Sequence, residues 1–252
     1  MNKWLLALIL VALVAYLYLY APGRSCNVAY IKLHGYLATY TSQDASTSDQ
    51  TASEDVTQAI RDADSDSSIR AIVLEVDSGG GSPVAGEEIE KALKASSKPT
   101  VALIRSNGDS AAYLSASGAS YIFASQFSGV GDIGITSSYT DNAAQNANSG
   151  ITFNQLSIGK YKDMYNQDKP LTADERALAL SQLELYYQDF VDIVAQNRGL
   201  ATSTVESLAD GAERPAAQAL HEGLIDQIGG LEDVRAYLQG KLHRTPTFCG
   251  LD

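Results

Sequence analysis

Apolar strands alternate with helices of about a dozen residues through the middle of this sequence. Residues 71–76 (AIVLEV) and 100–105 are predicted to be buried strands, because apolar side chains dominate both runs. Residues 84–95 and 111–119 have helical character and follow these strands directly. Strands linked by helices of this length run parallel in one sheet. We therefore expect an α/β domain with a mainly parallel sheet.

Further predicted elements extend this pattern in both directions. We expect strands at residues 27–36, 121–124, 133–136 and 153–158, and helices at 54–63, 172–197, 202–208, 215–222 and 231–238. The long helix has the clearest start, because Thr172 and Glu175 have the spacing of a capping box. Residues 40–53 are rich in Ser, Thr and Asp and are predicted to be a solvated loop.

The charge and the metal-binding residue types exclude two function classes. The formal net charge is −12 and the pI is about 4.6, so the chain lacks the basic surface that a nucleic-acid partner requires. Its two cysteines and three histidines are scattered without metal-ligand spacing. We expect neither a nucleic-acid partner nor a metal ion. Cys26 and Cys249 either form a disulfide or remain free thiols.

Residues 4–20 are an uncharged apolar run that is long enough to cross a bilayer once. As a helix they would rise about 25 Å, close to the lower limit for a transmembrane span. Tyrosines rather than small residues fill the end of the run, which favours an uncleaved anchor over a cleaved signal peptide. Lys3 favours a cytoplasmic amino terminus and thus a single-pass protein of the cell membrane with an extracytoplasmic domain. We divide the chain into the anchor (1–23), the domain (24–240) and a tail (241–252).

A glycine-rich turn follows the predicted strand at 71–76. The three glycines at 79–81 allow backbone N–H groups to approach a ligand oxygen closely, as an oxyanion hole requires. Their spacing differs from that of the nucleotide-binding glycine motifs. Ser110 stands at the start of a predicted helix, where it is either an N-cap or a residue at an anion-stabilising position.

These segments together resemble a known protease family. The glycine turn at 79–81, Ser110, the segment 131–135 (GDIGI) and the segment 159–163 (GKYKD) look like the signal peptide peptidase A family, peptidase family S49. The resemblance covers most of residues 27–236. It implies a ClpP/crotonase-like fold built from repeated ββα units, no cofactor, and a homo-oligomeric ring in which neighbouring chains complete each active site.

The resemblance also implies the roles of individual residues. Ser110 is the expected nucleophile, Lys162 the general base, and Gly80, Gly81 and Ala111 the oxyanion-hole candidates. The expected activity is serine-type endopeptidase cleavage of signal peptide remnants or unfolded exported polypeptides.

A lysine accepts a proton only when it is neutral, so its pKa must fall by roughly 3 units from about 10.4. Lys160 is the competing base, and Lys162 is preferred because it directly precedes Asp163 as in the family pattern. Asp132 stands where relatives commonly carry a serine that hydrogen-bonds the lysine. It is the base-orienting candidate, although an ionised carboxylate there would favour the charged lysine.

Three alternatives remain at this point. The first is a catalytically silent relative that acts as a membrane-bound peptide-binding or scaffold protein, for which Asp132 is the main argument. The second is a crotonase-type acyl-CoA enzyme that uses the same glycine turn. The third is a triad of Ser110, His221 and an aspartate within the hydrolase class.

Overall fold

The computed structural model describes residues 26–41 and 49–251. The predicted anchor at 4–20 lies outside these residues, as do residues 42–48, half of the predicted solvated loop. Within the described ranges, no helix combines the length and apolar character that crossing a membrane requires.

A parallel sheet forms the centre of the fold. Its strands follow the order β10-β1-β4-β5-β6-β9, and every neighbouring pair in this path is parallel. The strands are β1 (Val28–His34), β2 (Tyr36–Ala38), β3 (Gln50–Ala52), β4 (Ala71–Ser78), β5 (Thr100–Asp109), β6 (Tyr121–Ala124), β7 (Gly129–Gly131), β8 (Glu213–Pro215), β9 (Gln227–Ile228) and β10 (Phe248–Cys249). β7 extends the sheet beside the carboxyl end of β5 and pairs antiparallel with β8, while β2 and β3 form a separate parallel pair. The predicted α/β architecture with a mainly parallel sheet is confirmed.

The helices connect and cover these strands. They are α1 (Ser53–Ser65), α2 (Pro83–Ala95), α3 (Ala111–Ser117), α4 (Ala143–Asn148), α5 (Ala173–Arg198), α6 (Thr202–Leu208), α7 (Ala216–His221) and α8 (Leu231–Leu242). α5 begins with the predicted capping box, since Thr172 and Glu175 each accept a hydrogen bond from the other's backbone N–H. Gly199 ends the helix in the left-handed conformation.

The buried core lies on both faces of the sheet because alternate strand residues point to opposite sides. On β4, Ile72, Leu74 and Val76 pack into the larger apolar cluster, which includes residues of α1, α2, α3 and α5. Ala71 and Val73 point the other way, into a smaller cluster that α8 closes. The sheet is therefore covered by helices on both faces, as parallel sheets require.

Two of the predicted strands are wrong. Residues 133–136 and 153–158 are irregular, and the strand near the first of these is β7, at Gly129–Gly131. The second segment has no buried apolar residue, and its Leu156 and Ile158 are 99% and 100% exposed. Alternating apolar residues therefore mark an exposed surface here rather than a half-buried strand.

A disulfide joins the two ends of the described chain. Cys26 precedes β1 and pairs with Cys249 in β10, across 223 residues of sequence. β10 lies parallel to β1 at the sheet edge, with Val28 opposite Phe248. Of the two alternatives left open by the sequence, the structure has the disulfide.

Candidate active site

Ser110 lies in a strained turn between β5 and α3. Its φ of 51° and ψ of −125° place a non-glycine residue in a sparsely populated region of backbone conformation. Such a conformation costs roughly 1 to 3 kcal/mol and persists only where surrounding contacts enforce it. The Ser110 N–H donates to the carbonyl of Gly131 at 2.7 Å, and the Ser110 carbonyl accepts from Leu114 N–H at 2.9 Å. A strained strand-to-helix turn also presents the nucleophilic serine of α/β-hydrolases.

The glycine turn lies beside Ser110 because β4 and β5 are parallel neighbours. Ser78 is in register with Gly108, so the residues that follow the two strands meet at the same sheet edge. Gly80 and Gly81 have φ values of 100° and 151°, which L-residues with a side chain rarely adopt. Leu37 of β2 fixes the turn from the other side, where its N–H donates to Gly80 and its carbonyl accepts from Ser82.

Two backbone N–H groups at this edge are free to bind a ligand oxygen. Over the described ranges, neither Gly81 N–H nor Ala111 N–H has an acceptor. The Gly80 N–H, by contrast, donates to Ser78 Oγ at 3.0 Å. This difference favours Gly81 over Gly80 as the partner of Ala111 in an oxyanion hole.

Ser110 lines two pockets. The larger, of about 640 Å³, lies between α2, α3 and α5 and has apolar walls that include Leu114 and Phe190. The smaller, of about 450 Å³, is lined by Gly81 and Asp132 together with other residues. Ser110 stands where these two pockets meet, so a bound chain could extend past the serine in either direction.

No lysine lines either pocket among the residues that the structure describes. Lys162 lies in an exposed irregular segment, where its backbone N–H donates to the carbonyl of Gly159 at 3.1 Å. The competing Lys160 has its Nζ 2.6 Å from Asp174 Oδ2, and its hydrogen bond to this carboxylate raises the pKa of Lys160. Lys160 is thus held in the charged form, which cannot act as a base. A single chain therefore brings Ser110, Gly81 and Ala111 together but leaves Lys162 apart from them.

Asp132 shares the smaller pocket with Ser110. Its φ of 44° is positive, and its side chain lies partly buried near Gly211. Burial, followed by the negative charge of Glu213, raises the pKa of the Asp132 carboxyl. Both influences favour the neutral carboxylic acid, which can donate a hydrogen bond.

A buried carboxyl group beside Ser110 was missed by the sequence analysis. Asp109 is 6% exposed, and its Oδ1 has no hydrogen-bond partner among the described residues. The Nδ2 of Asn107 donates both to Asp109 Oδ2 at 3.0 Å and to Glu213 Oε2 at 3.2 Å. Burial, with smaller contributions from Glu213 and Asp132, raises the pKa of Asp109 to about 6 against the opposing Asn107 hydrogen bond. The sequence signal was an acidic residue directly before Ser110, at the end of a strand.

The alternative triad finds no support in this arrangement. His221 ends α7 in an exposed position and lines neither of the two pockets that Ser110 lines.

Over residues 26–41 and 49–251, no group of three or more His, Cys, Asp or Glu side chains is placed to hold a metal ion.

Comparison with known proteins identifies relatives of this fold and site. The family model described as peptidase family S49 matches residues 92–243. A putative protease of Methanocaldococcus jannaschii is 31% identical over 180 residues, which are 71% of this chain and 58% of that protein. A putative signal peptide peptidase of Enterococcus faecium is 30% identical over 171 residues, which are 67% of this chain and 50% of that protein. The matched part of the chain thus spans between 50% and 58% of the length of these two relatives.

A solved structure shows the same fold. A mutant of the membrane-bound stomatin-specific protease 1510-N superposes with a TM-score of 0.58 and 16% sequence identity, and the match covers 85% of each chain. The resemblance drawn from the glycine turn, Ser110 and the two later segments is confirmed by the family model and by these relatives. This chain belongs to peptidase family S49.

Proposed function

We propose that this chain is a membrane-anchored serine endopeptidase with Ser110 as nucleophile and Lys162 as general base. The observation that carries the proposal is the strained backbone of Ser110 beside the free N–H groups of Gly81 and Ala111. Strain of this kind persists at sites where it serves a mechanism. Membership of a peptidase family favours hydrolysis over the acyl-CoA alternative.

The proposed reaction proceeds through an acyl-enzyme. Ser110 Oγ attacks the carbonyl carbon of a peptide bond and transfers its proton to the neutral Nζ of Lys162. The Gly81 and Ala111 N–H groups stabilise the tetrahedral oxyanion, and each such donor contributes about 3 kcal/mol in comparable enzymes. The C–N bond then breaks, the amine leaves with the proton from Lys162, and a water molecule hydrolyses the ester.

Lys162 comes from a neighbouring copy of the chain in this proposal. Within one chain it lies apart from both pockets that Ser110 lines, on a segment that exposes Leu156 and Ile158 almost completely. Large exposed apolar side chains on one segment are typical of an interaction surface. We propose that this segment packs on a second copy and carries Lys162 to the Ser110 of that copy, within a closed ring.

Asp132 orients the base when its carboxyl group is neutral. Burial and the charge of Glu213 raise the pKa of this carboxyl group, and both influences weaken the anion that would hold the lysine charged. When Asp132 ionises it favours the charged lysine, so the proposal includes activity that depends on the charge at position 132.

The membrane anchor and the compartment complete the proposal. Residues 4–20 place the domain at the membrane, and the Cys26–Cys249 disulfide supports an extracytoplasmic position, because disulfides persist in oxidising compartments. Signal peptide remnants and unfolded exported polypeptides are the substrates that such a position makes available.

The test is hydrolysis by the full chain in detergent micelles, measured from pH 6 to 10. An unfolded reduced protein and fluorogenic peptides serve as substrates, beside Ser110→Ala, Lys162→Ala and Lys160→Ala. We expect activity in the wild type and in Lys160→Ala, and loss of at least a thousandfold in the other two. Wild-type inactivity at every pH would contradict the proposal, as would full activity in Lys162→Ala.

A catalytically silent relative is the second candidate, and the acidic surroundings of Ser110 favour it. Asp109 precedes Ser110, Asp132 shares its smaller pocket, and Glu213 lies close enough to raise the pKa of both, so these carboxyl groups oppose a neutral lysine base when they ionise. In this case the chain binds peptides in the two pockets without cleaving them. Inactive wild type together with cleavage by Asp132→Ser would establish it.

A further inference from the structure

Buried apolar side chains form the floor of the larger pocket beside Ser110. Leu114 and Phe190 are each 4% exposed and face a space of about 640 Å³, and Ile135 and Ile193 extend the same walls. This volume lies within the range of ligand-binding pockets and exceeds what one small side chain would fill. Because Ser110 and Ala111 form part of the lining, a substrate residue held in this pocket would lie close to the bond that the proposed nucleophile attacks.

Carboxylates stand among the residues that line this apolar pocket. They are Glu87 of α2 and Asp189 and Asp192 of α5. Asp189 and Asp192 are three residues apart on one helix and therefore lie on the same face. Both are exposed, and neither forms an ion pair with a Lys or Arg among the described residues. Only Glu87 has a cationic partner, with its Oε1 2.5 Å from Lys91 Nζ.

No positive side chain balances these charges from within the pocket. Over the residues that the structure describes, neither Lys nor Arg lines the larger pocket or the smaller one. The smaller pocket adds Asp132 and Asp210, of which Asp210 pairs with Arg214 outside the lining. Charges of one sign around a concave surface focus the electrostatic field and attract ligands of the opposite sign.

We propose that the larger pocket selects a substrate residue with a long cationic side chain, a lysine or an arginine, next to the scissile bond. The apolar stem of such a side chain packs on Leu114 and Phe190, and its charged end reaches Asp189 and Asp192 at the rim. Lysine and arginine routinely bury their stems in this way while the charged end stays near water. This proposal rests on the proposed endopeptidase activity and names its substrate class: polypeptides that carry basic residues.

The alternative occupant is a purely apolar side chain, which the floor alone would accept. The carboxylates argue against it. Asp192 accepts a hydrogen bond only from the neutral Gln188 side chain among the described residues, and an apolar side chain leaves the negative charges of Asp189 and Asp192 without a cationic partner. A cationic end supplies that partner and keeps the same apolar contacts.

The test compares peptide pairs that differ only in charge at the residue before the scissile bond. Lysine is paired with norleucine, and arginine with citrulline, and kcat/KM is measured with the full chain in detergent micelles. We expect the charged member of each pair to be preferred at least tenfold at low salt, with the preference shrinking as salt screens the rim charges. The double variant Asp189→Asn/Asp192→Asn should lose most of the preference, measured as the ratio of kcat/KM between the two members of each pair.

A matched control separates the rim charges from the charge of the whole molecule. Glu184→Gln removes an exposed carboxylate of the same helix that does not line the pocket, and it should keep the wild-type preference. Thermal melting of the variants confirms that each is folded. Equal cleavage of both members of each pair would overturn this inference and leave the peptidase proposal standing, as would an unchanged preference in the double variant. Cleavage of no peptide would overturn both.

Discussion

Gly80 packs directly against Ser110. A Cβ added at Gly80 would lie 2.8 Å from the Ser110 Cβ and 3.1 Å from the backbone nitrogen of Ala111. Atoms of this kind do not approach so closely, so the strained turn of Ser110 depends on the absence of a side chain at position 80. The neighbouring Gly79 has no such constraint, because an added Cβ there meets no atom within 4 Å.

Gly80→Ala should therefore lose most of the hydrolytic activity, whereas Gly79→Ala should keep it. We expect a loss of at least a hundredfold in kcat for Gly80→Ala, the range seen when an oxyanion donor is removed, because Ser110 and Ala111 must shift. Thermal melting of both variants measures how much of the loss comes from unfolding. Equal activity of the two alanine variants would contradict the packing described here.

Asp132→Ser should move the acid limb of the activity profile to lower pH. An ionised carboxylate near Lys162 stabilises the ammonium form, which cannot accept the proton of Ser110. Serine removes that charge and still offers a hydroxyl group. The measurement is kcat/KM between pH 6 and 10, with Glu184→Gln as the control, since Glu184 lines neither pocket of Ser110. If the acid limb of Asp132→Ser lies at the wild-type pH, Asp132 does not influence the protonation of the base.

Asp109→Asn should stabilise the fold at pH 8 and have little effect at pH 4. The folded-state pKa of Asp109 is about 6, above the ordinary value near 3.8, so ionisation is less favourable in the folded protein. The contribution of Asp109 to stability is fully present below about pH 4 and is lost as the pH rises through 6. We expect a gain of about 1 to 3 kcal/mol at pH 8 from the amide, less where water reaches the group.

Chemical denaturation at pH 4, 6 and 8 checks this dependence. Glu184→Gln, which changes an exposed carboxylate on α5, should show no comparable trend. A destabilised Asp109→Asn protein at pH 8 would mean that the Asp109 carboxylate has a partner that the structure does not contain.

Reduction of the disulfide should lower stability by about 2 to 5 kcal/mol, because it frees a loop of more than 200 residues in the unfolded chain. The loss should appear as a lower melting temperature in a thiol reductant. The double variant Cys26→Ser/Cys249→Ser should melt at that lower temperature with or without the reductant. A wild-type protein that is insensitive to the reductant would show that the thiols are unpaired in solution.

The regular part of the fold could be predicted because its periodicity is strong. The apolar run of β4 predicts a buried strand, and the capping box of α5 predicts a helix start. The structure contains both. The segment at 153–158 was predicted wrongly because Leu156 and Ile158 alternate with polar residues as in a strand but are exposed. A single sequence does not distinguish a core face from a surface that another molecule covers.

The site was predictable where a backbone requirement determines the residue type. Glycine at positions 80 and 81 and a small residue after Ser110 follow from the close approach of two chain segments. The Asp109, Asn107 and Glu213 group was not predictable, because Glu213 comes from β8, which reaches the site only by pairing with β7. The position of Lys162 relative to Ser110 depends in our proposal on a second chain, which the pattern of one chain does not encode.

The central claim is that Ser110 and Lys162 of different copies form one active site, and subunit complementation tests it most directly. Full-length Ser110→Ala and Lys162→Ala chains, each inactive alone, are co-expressed in equal amounts and assayed as mixed assemblies. With random mixing in a ring, about one quarter of the sites combine an intact serine with an intact lysine from its neighbour. We predict recovery of about that fraction of wild-type activity. Mixed assemblies that remain as inactive as either variant would contradict a site shared between chains.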